Sequence, residues 1–337
     1  MKNFVAENAN DLWIQAFDAL RDDVSADEQP SRAGLTRELL HVTFTLKNPR
    51  ERWIVAREPA LNPAFAVAEL VWIINGRNQS AILNYFNKKL PRFAGDGETY
   101  HGAYGFRIIN HFKIDQLTRV YETLKNNPDS RQAVLQIWDP MEDLPDSKGQ
   151  PRDMDIPCNI SSIIKIRRNR LEWFQIMRSN DLFLGTPYNF VQWTSVQEIM
   201  AGWLGVGLGE YNQLSDSLHV YKRDLGKICV DDLAGNIRNA DSLDYPKEVS
   251  DRAFKELYEK IDRMTKVIIN EKDLEEICEK RDAVQSYQNM LLVVGAECAR
   301  RRGWKALQER LIGDCTNPLY SLLSERWVSR VTSKMAQ

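Results

Sequence analysis

Apolar positions recur along the chain with two periods. A stripe at helical spacing runs from Asp11 to Leu20, and the polar stretch DDVSADEQPSRAG follows it. After Gly34, Leu35, Arg37 and Leu39 alternate and lead into HVTFTL, which predicts a strand. The segment NPAFAVAELVWIIN, residues 62–75, is apolar nearly all round and predicts a buried helix. Asn62 suits its N-cap, Pro63 its first position and Gly76 its stop. Glu69 is the lone carboxylate inside that helix. A buried carboxylate is costly unless it is hydrogen-bonded, protonated or used.

Ile114, Leu117, Val120, Tyr121 and Leu124 predict an amphipathic helix over 114–126, ended by NPDS and followed by the strand AVLQIW. CNISSIIKIR and RLEWFQIMR predict two strands joined by a hairpin turn at Arg168-Asn169. SNDLFLGTP reads as a loop, Tyr188–Leu204 as a long helix, and LGEYNQLSDSLHVY as extended chain. Strands in adjacent runs predict an α+β core. Residues 226–337 differ: 19 basic and 19 acidic side chains fall in 112 positions, mostly with helical periodicity. Helices are expected at Lys247–Val267, Lys272–Arg301, Trp304–Ile312 and Leu319–Val331, with Arg300-Arg301-Arg302 as a solvated helix end. The pattern divides the chain into a core over 1–225 and a helical extension over 226–337.

Composition narrows the function classes. The 337 residues carry a formal net charge of −2, without the clustered basic excess that duplex nucleic acid requires. A nucleotide-sized anion needs only a few arginines. No apolar run approaches the ~20 residues of a membrane span, and the first residues lack the apolar core of a signal peptide. The cysteines (Cys158, Cys229, Cys278, Cys298 and Cys315) are odd in number and lack CxxC spacing, so a reducing cytoplasm is expected. Four histidines without an HExxH pattern make a metal site unexpected.

Chemistry concentrates between Asp155 and Tyr221. Pro157 fixes the backbone ahead of Cys158 at a strand entrance, where a thiol can be presented as a nucleophile. Arg178 and Ser179 end the next strand and offer a guanidinium and a hydroxyl to an anionic oxygen. Asp181 and Asn189 flank a Gly-Pro turn, and amide and carboxylate side chains read base edges. This block, DIPCN then MRSNDLFLGTPYN then SDSLHVY, resembles the thymidylate synthase family, which includes the pyrimidine-nucleotide hydroxymethylases. AELVWIINGRN, NPDSRQAVLQIW and GAYGFR resemble further family segments, and the likeness covers roughly residues 31–225.

The resemblance implies a thymidylate synthase-like mixed sheet packed with helices, a homodimer with sites shared across its interface, and no metal. The substrate it implies is a pyrimidine nucleoside monophosphate, preferably dUMP-type, with 5,10-methylenetetrahydrofolate as one-carbon donor. Cys158 would attack C6 of the base, Glu69 would handle protons on the base and an ordered water, and Tyr104 would assist deprotonation at C5. Arg178, Ser179, Arg32 and the neighbouring subunit's copy of Arg131 would bind the phosphate. Asn189 would read the base edge, and His219 and Tyr221 the sugar. Asp181, in the loop with Gly185, would hold the folate.

Four departures stand out. Gln132 replaces the family's second arginine after Asp-Ser, and Asn159 follows Cys158 where synthases have His or Gln. Asn189 is the uracil-reading choice, where the cytidylate hydroxymethylases have Asp. The closing C-terminal segment is not recognisable. Three readings follow: a C5 methylase, a C5 hydroxymethylase of dUMP, dCMP or CMP in which water captures the transferred carbon, and a nucleotide-binding regulator whose helical tail meets a partner.

Overall fold

The computed structural model describes residues 2–31, 33–227, 237–279 and 284–335. Among the described residues, seven strands form one mixed sheet: β1 (Lys2–Ala6), β2 (Asp27–Ser31), β3 (Gly34–Leu46), β4 (Val134–Gln136), β5 (Asn159–Arg167), β6 (Arg170–Asp181) and β7 (Gly207–Tyr221). Their order is β1-β3-β7-β6-β5-β4, with β2 also on β3. β1 runs parallel to β3 and β6 parallel to β7, and the remaining pairs are antiparallel. The β5–β6 hairpin turns through Arg168 and Asn169, at φ 52° and 56°, as a two-residue turn matching the strand twist requires.

The α+β class expected from the pattern is what the structure has. The Pro63–Ile74 helix starts on Asn62, whose side chain accepts from the Phe65 amide, and it ends before Gly76 at φ +61°. It packs between the Thr186–Leu204 helix and the Gln285–Arg302 helix. Enclosure from both sides explains why it is apolar all round, and why both neighbours are buried over most of their length. Trp13, Trp173, Trp193 and Phe190 fill the space between sheet and helices.

Three features differ from the sequence reading. β1 and β2 were not foreseen: β2 is acidic and fully exposed, so only its pairing with β3 defines it. The expected Lys272–Arg301 helix is two helices, Glu271–Cys278 and Gln285–Arg302, because Glu279 leaves helical geometry at ψ 139°. The Arg300–Arg302 run is not a solvated end. Arg300 and Arg301 grip Glu297, Arg301 also donates to the Phe86 carbonyl, and Arg302 donates to the Met264 and Lys266 carbonyls and to the Tyr85 hydroxyl.

Candidate active site

Cys158 lies half-buried immediately before β5, and its carbonyl accepts from the Arg178 amide at 2.9 Å. Arg178 braces the chain just ahead of the thiol: Nε donates to the Pro157 carbonyl at 2.9 Å and Nη2 to the Ile156 carbonyl at 3.0 Å. Its guanidinium stacks over Trp138, 5.3 Å from the ring centre. Two donors are thus committed to the backbone.

The Tyr104 segment is fastened to this strand entrance. The Gly102 amide donates to Asp155 at 2.8 Å, and burial raises the Asp155 pKa. Gly105 presses against the Pro63–Ile74 helix so closely that a Cβ would stand 2.2 Å from the Ile73 carbonyl oxygen. Glycine is therefore required for Tyr104 to reach the helix that carries Glu69. The Tyr104 hydroxyl is driven well above its ordinary pKa by burial and by the nearby Cys158, Asp155 and Glu69, while Asn159 opposes the shift. Cys158, Tyr104 and Glu69 therefore share one electrostatic neighbourhood.

Glu69 is the most perturbed carboxyl there. Burial pushes its pKa from 4.5 up to about 7, against a smaller opposing pull from Gln192. Its Oε2 is sealed from solvent and has no hydrogen-bond partner, and the same holds for Asn159 Nδ2, Gln192 Oε1 and Trp193 Nε1. Buried polar atoms without partners are uncommon in folded proteins. Several on the elements around Tyr104 suit a polar heterocycle bound against them. Of these residues, Gln192 and Trp193 were missed from the sequence. The available signal was their spacing, three and four residues beyond Asn189 on one helix face.

The remaining expected residues fall in two groups. Ser179, Asn189, His219 and Tyr221 lie on the C-terminal ends of β6 and β7 or in the helix between them. The Asn189 amide is buried at 6% exposure, and among the described residues it makes no side-chain hydrogen bond. His219 and Tyr221 meet edge to face at 6.2 Å. Asp181 caps its own loop, with Oδ1 accepting from the Phe183 and Leu184 amides at 2.8 Å each, and burial raises its pKa. Gly185 opens the following helix. Arg131 is exposed, beside exposed Gln132, and makes no hydrogen bond or ion pair with the described residues. Arg32 and Cys229 lie outside the described residues. His111, Asp139 and Glu142 each bring one potential ligand atom within 4.8 Å of the others, and His111 is already hydrogen-bonded to Asp139.

A family model described as thymidylate synthase matches residues 31–284. The chain belongs to the thymidylate synthase family. The match reaches past residue 225 into the C-terminal helices. Among curated relatives, the deoxyuridylate hydroxymethyltransferase of Bacillus phage SP01 is 38% identical over 208 residues, 58% of this chain and 53% of that one. The deoxyuridylate hydroxymethyltransferase of Pseudomonas phage M6 is 37% identical over 198 residues, 58% of this chain and 55% of that one. A thymidylate synthase of Bacillus subtilis subsp. natto is 31% identical over 180 residues, 48% of this chain and 59% of that one. The chain spans about half the length of the hydroxymethyltransferases it matches. Among the described residues no helix is long and apolar enough to cross a membrane.

Proposed function

We propose that this thymidylate synthase-family chain transfers a one-carbon unit to C5 of a uridine nucleotide of the dUMP type. The observation that carries this reading is the convergence of Cys158, Tyr104 and Glu69 among buried polar atoms without partners. Methylenetetrahydrofolate, when bound, supplies a carbon at the oxidation level of formaldehyde. The chain's own residues prepare the base. An uncharged pyrimidine C5 is a poor nucleophile, and addition of the Cys158 thiolate to C6 moves electron density onto C5 and O4. Glu69, with a pKa of about 7, can give a proton to the base and take one back near neutral pH. Tyr104 holds its proton firmly, and its hydroxyl orients a water that receives the C5 proton.

Asn189 reads uracil, because one amide can donate to O4 and accept from N3–H. Ser179 and the uncommitted part of Arg178 take the phosphate with Arg32, and the sugar lies against His219 and Tyr221. Arg131 points to a second subunit. Its exposed side chain has no partner within the described chain, and the sheet carries half-buried Ile163, Phe174, Ile176 and Leu214 at alternating positions. A homodimer joined through that sheet face would cover them. The folate lies against the Asp181–Gly185 loop.

For the fate of the carbon, the relatives favour hydroxymethylation over methylation. The hydroxymethyltransferases cited are more identical to this chain than the synthase is. Incubation with methylenetetrahydrofolate and each of dUMP, UMP, dCMP and CMP tests both levels. A hydroxymethyl product from dUMP without dihydrofolate is expected. A methyl product with dihydrofolate corrects the fate alone, and no product from any of the four defeats the enzyme reading in favour of a regulator.

A further inference from the structure

Arg57 was not singled out by the sequence, and Arg330 belongs to the C-terminal helix that had no assigned role. Both are drawn to one short stretch of backbone. Arg57, 5% exposed, donates Nε to the Phe183 carbonyl and Nη1 to the Pro59 carbonyl, each at 2.8 Å, and stacks 4.3 Å over the Phe183 ring. Arg330 donates Nη1 to the Ala60 carbonyl at 2.6 Å and stacks 4.8 Å over Trp327. Adjacent carbonyls thus bring two guanidiniums side by side, and no carboxylate is hydrogen-bonded to either among the described residues. The acidic groups nearby are otherwise engaged: Glu58 faces Arg326 at 3.7 Å, Asp224 pairs with Lys227, and Asp181 caps its loop. Burial lowers the pKa of both arginines, and Arg57 lowers that of Arg330 further.

Two like charges held together, one buried at Arg57 and one half-buried at Arg330, are unfavourable unless an anion joins them. Arg57 Nη2 makes no hydrogen bond among the described residues, and neither do Arg330 Nε and Nη2. The pair lies beside the Phe183 end of the Asp181–Gly185 loop. It also lies beside Tyr188, which is influenced by Arg57, Arg330 and Glu69 together. We propose that Arg57 and Arg330 form a clamp for a ligand oxyanion, a glutamate carboxylate of the folate donor, so that the C-terminal helix supplies part of the binding site. The assignment rests on the proposed folate-dependent reaction. The other oxyanion available is the nucleotide phosphate, which Arg178 and Ser179 already address.

Binding of tetrahydrofolate and of tetrahydropteroate, which lacks the glutamate, separates these sources. Each is titrated into the full chain, with and without dUMP, by quenching of tryptophan fluorescence. The wild type should bind tetrahydrofolate about tenfold more tightly than tetrahydropteroate, a gap of one charge-assisted hydrogen-bond pair. Arg57→Gln and Arg330→Gln should erase the gap, Arg330→Lys should keep part of it, and dUMP affinity and the melting temperature of Arg330→Gln should not move. A gap that survives both Gln variants overturns the clamp, as does equal wild-type affinity for the two pterins. A loss confined to dUMP overturns the assignment to the donor. Failure of both pterins to bind defeats instead the folate-dependent reading on which the clamp rests.

Discussion

The neighbourhood of Cys158 and the C-terminal helices bury polar groups in opposite ways. Around Tyr104, Glu69 Oε2, Asn159 Nδ2, Gln192 Oε1 and Trp193 Nε1 are buried without partners. In the C-terminal helices and the segment that leads into them, buried Glu297 accepts from Arg300, Arg301 and Trp327, and Asp241 accepts from Asn289 and Asn317, with Gln288 Oε1 the exception that lacks a partner. A satisfied buried network fixes one packing arrangement, whereas unsatisfied buried atoms carry a desolvation cost that a bound polar group would relieve. The helix Pro63–Ile74 touches both regions, so the tail's satisfied network buttresses the element that carries Glu69.

Four substitutions would break or sharpen that contrast. The largest effect is expected at Cys158: Cys158→Ser should lower turnover by on the order of 10³-fold or more, read by product mass, with unchanged unfolding. Glu69→Gln should lower kcat by about 10²-fold and remove an inflection near pH 7 from the rate profile. The same variant should be more stable than the wild type at high pH. Because the folded-state pKa lies above 4.5, the wild type is unimpaired below about pH 4.5 and loses stability as pH rises through about 7. Urea midpoints at pH 5 and pH 9 should show Glu69→Gln gaining about 3 kcal/mol between them. A gain at pH 5 instead would reverse the sign and refute a raised pKa.

Glu297→Ala should do the converse. It strips two arginines of their partner and should cost about 2–3 kcal/mol by urea unfolding, with kcat of the folded enzyme unchanged. Equal losses of kcat for Glu297→Ala and Glu69→Gln would erase the distinction between the two regions. The smallest effect is expected at Asn189, where Asn189→Asp should shift preference from dUMP towards dCMP by about tenfold, measured as a ratio of kcat/KM.

Much of this was legible before the structure. The Asn62 cap with Pro63 and Gly76, the Arg168-Asn169 turn and the presence of strands β3 to β7 follow from local chemistry that the fold does not override. Cys158 and Glu69 stand out by residue type and Tyr104 by the family resemblance of its segment, and in the structure Cys158 and Glu69 both act on the Tyr104 hydroxyl. What was hidden depends on partners distant in sequence. β2 exists only because β3 offers an edge, and Arg300–Arg302 look solvated until Tyr85, Phe86 and Met264 are placed beside them. Arg57 and Arg330 are separated by most of the chain, and only the folded carbonyls of Pro59 and Ala60 bring them together.

The central claim is that Cys158 activates C5 of a uridine nucleotide. It is tested most directly by incubating the chain with methylenetetrahydrofolate and dUMP deuterated at C5, and weighing the nucleotide recovered. The wild type should release the C5 deuterium and add one carbon at that position, and Cys158→Ser should do neither. A one-carbon product that keeps its deuterium, or an equally active Cys158→Ser, would contradict the account.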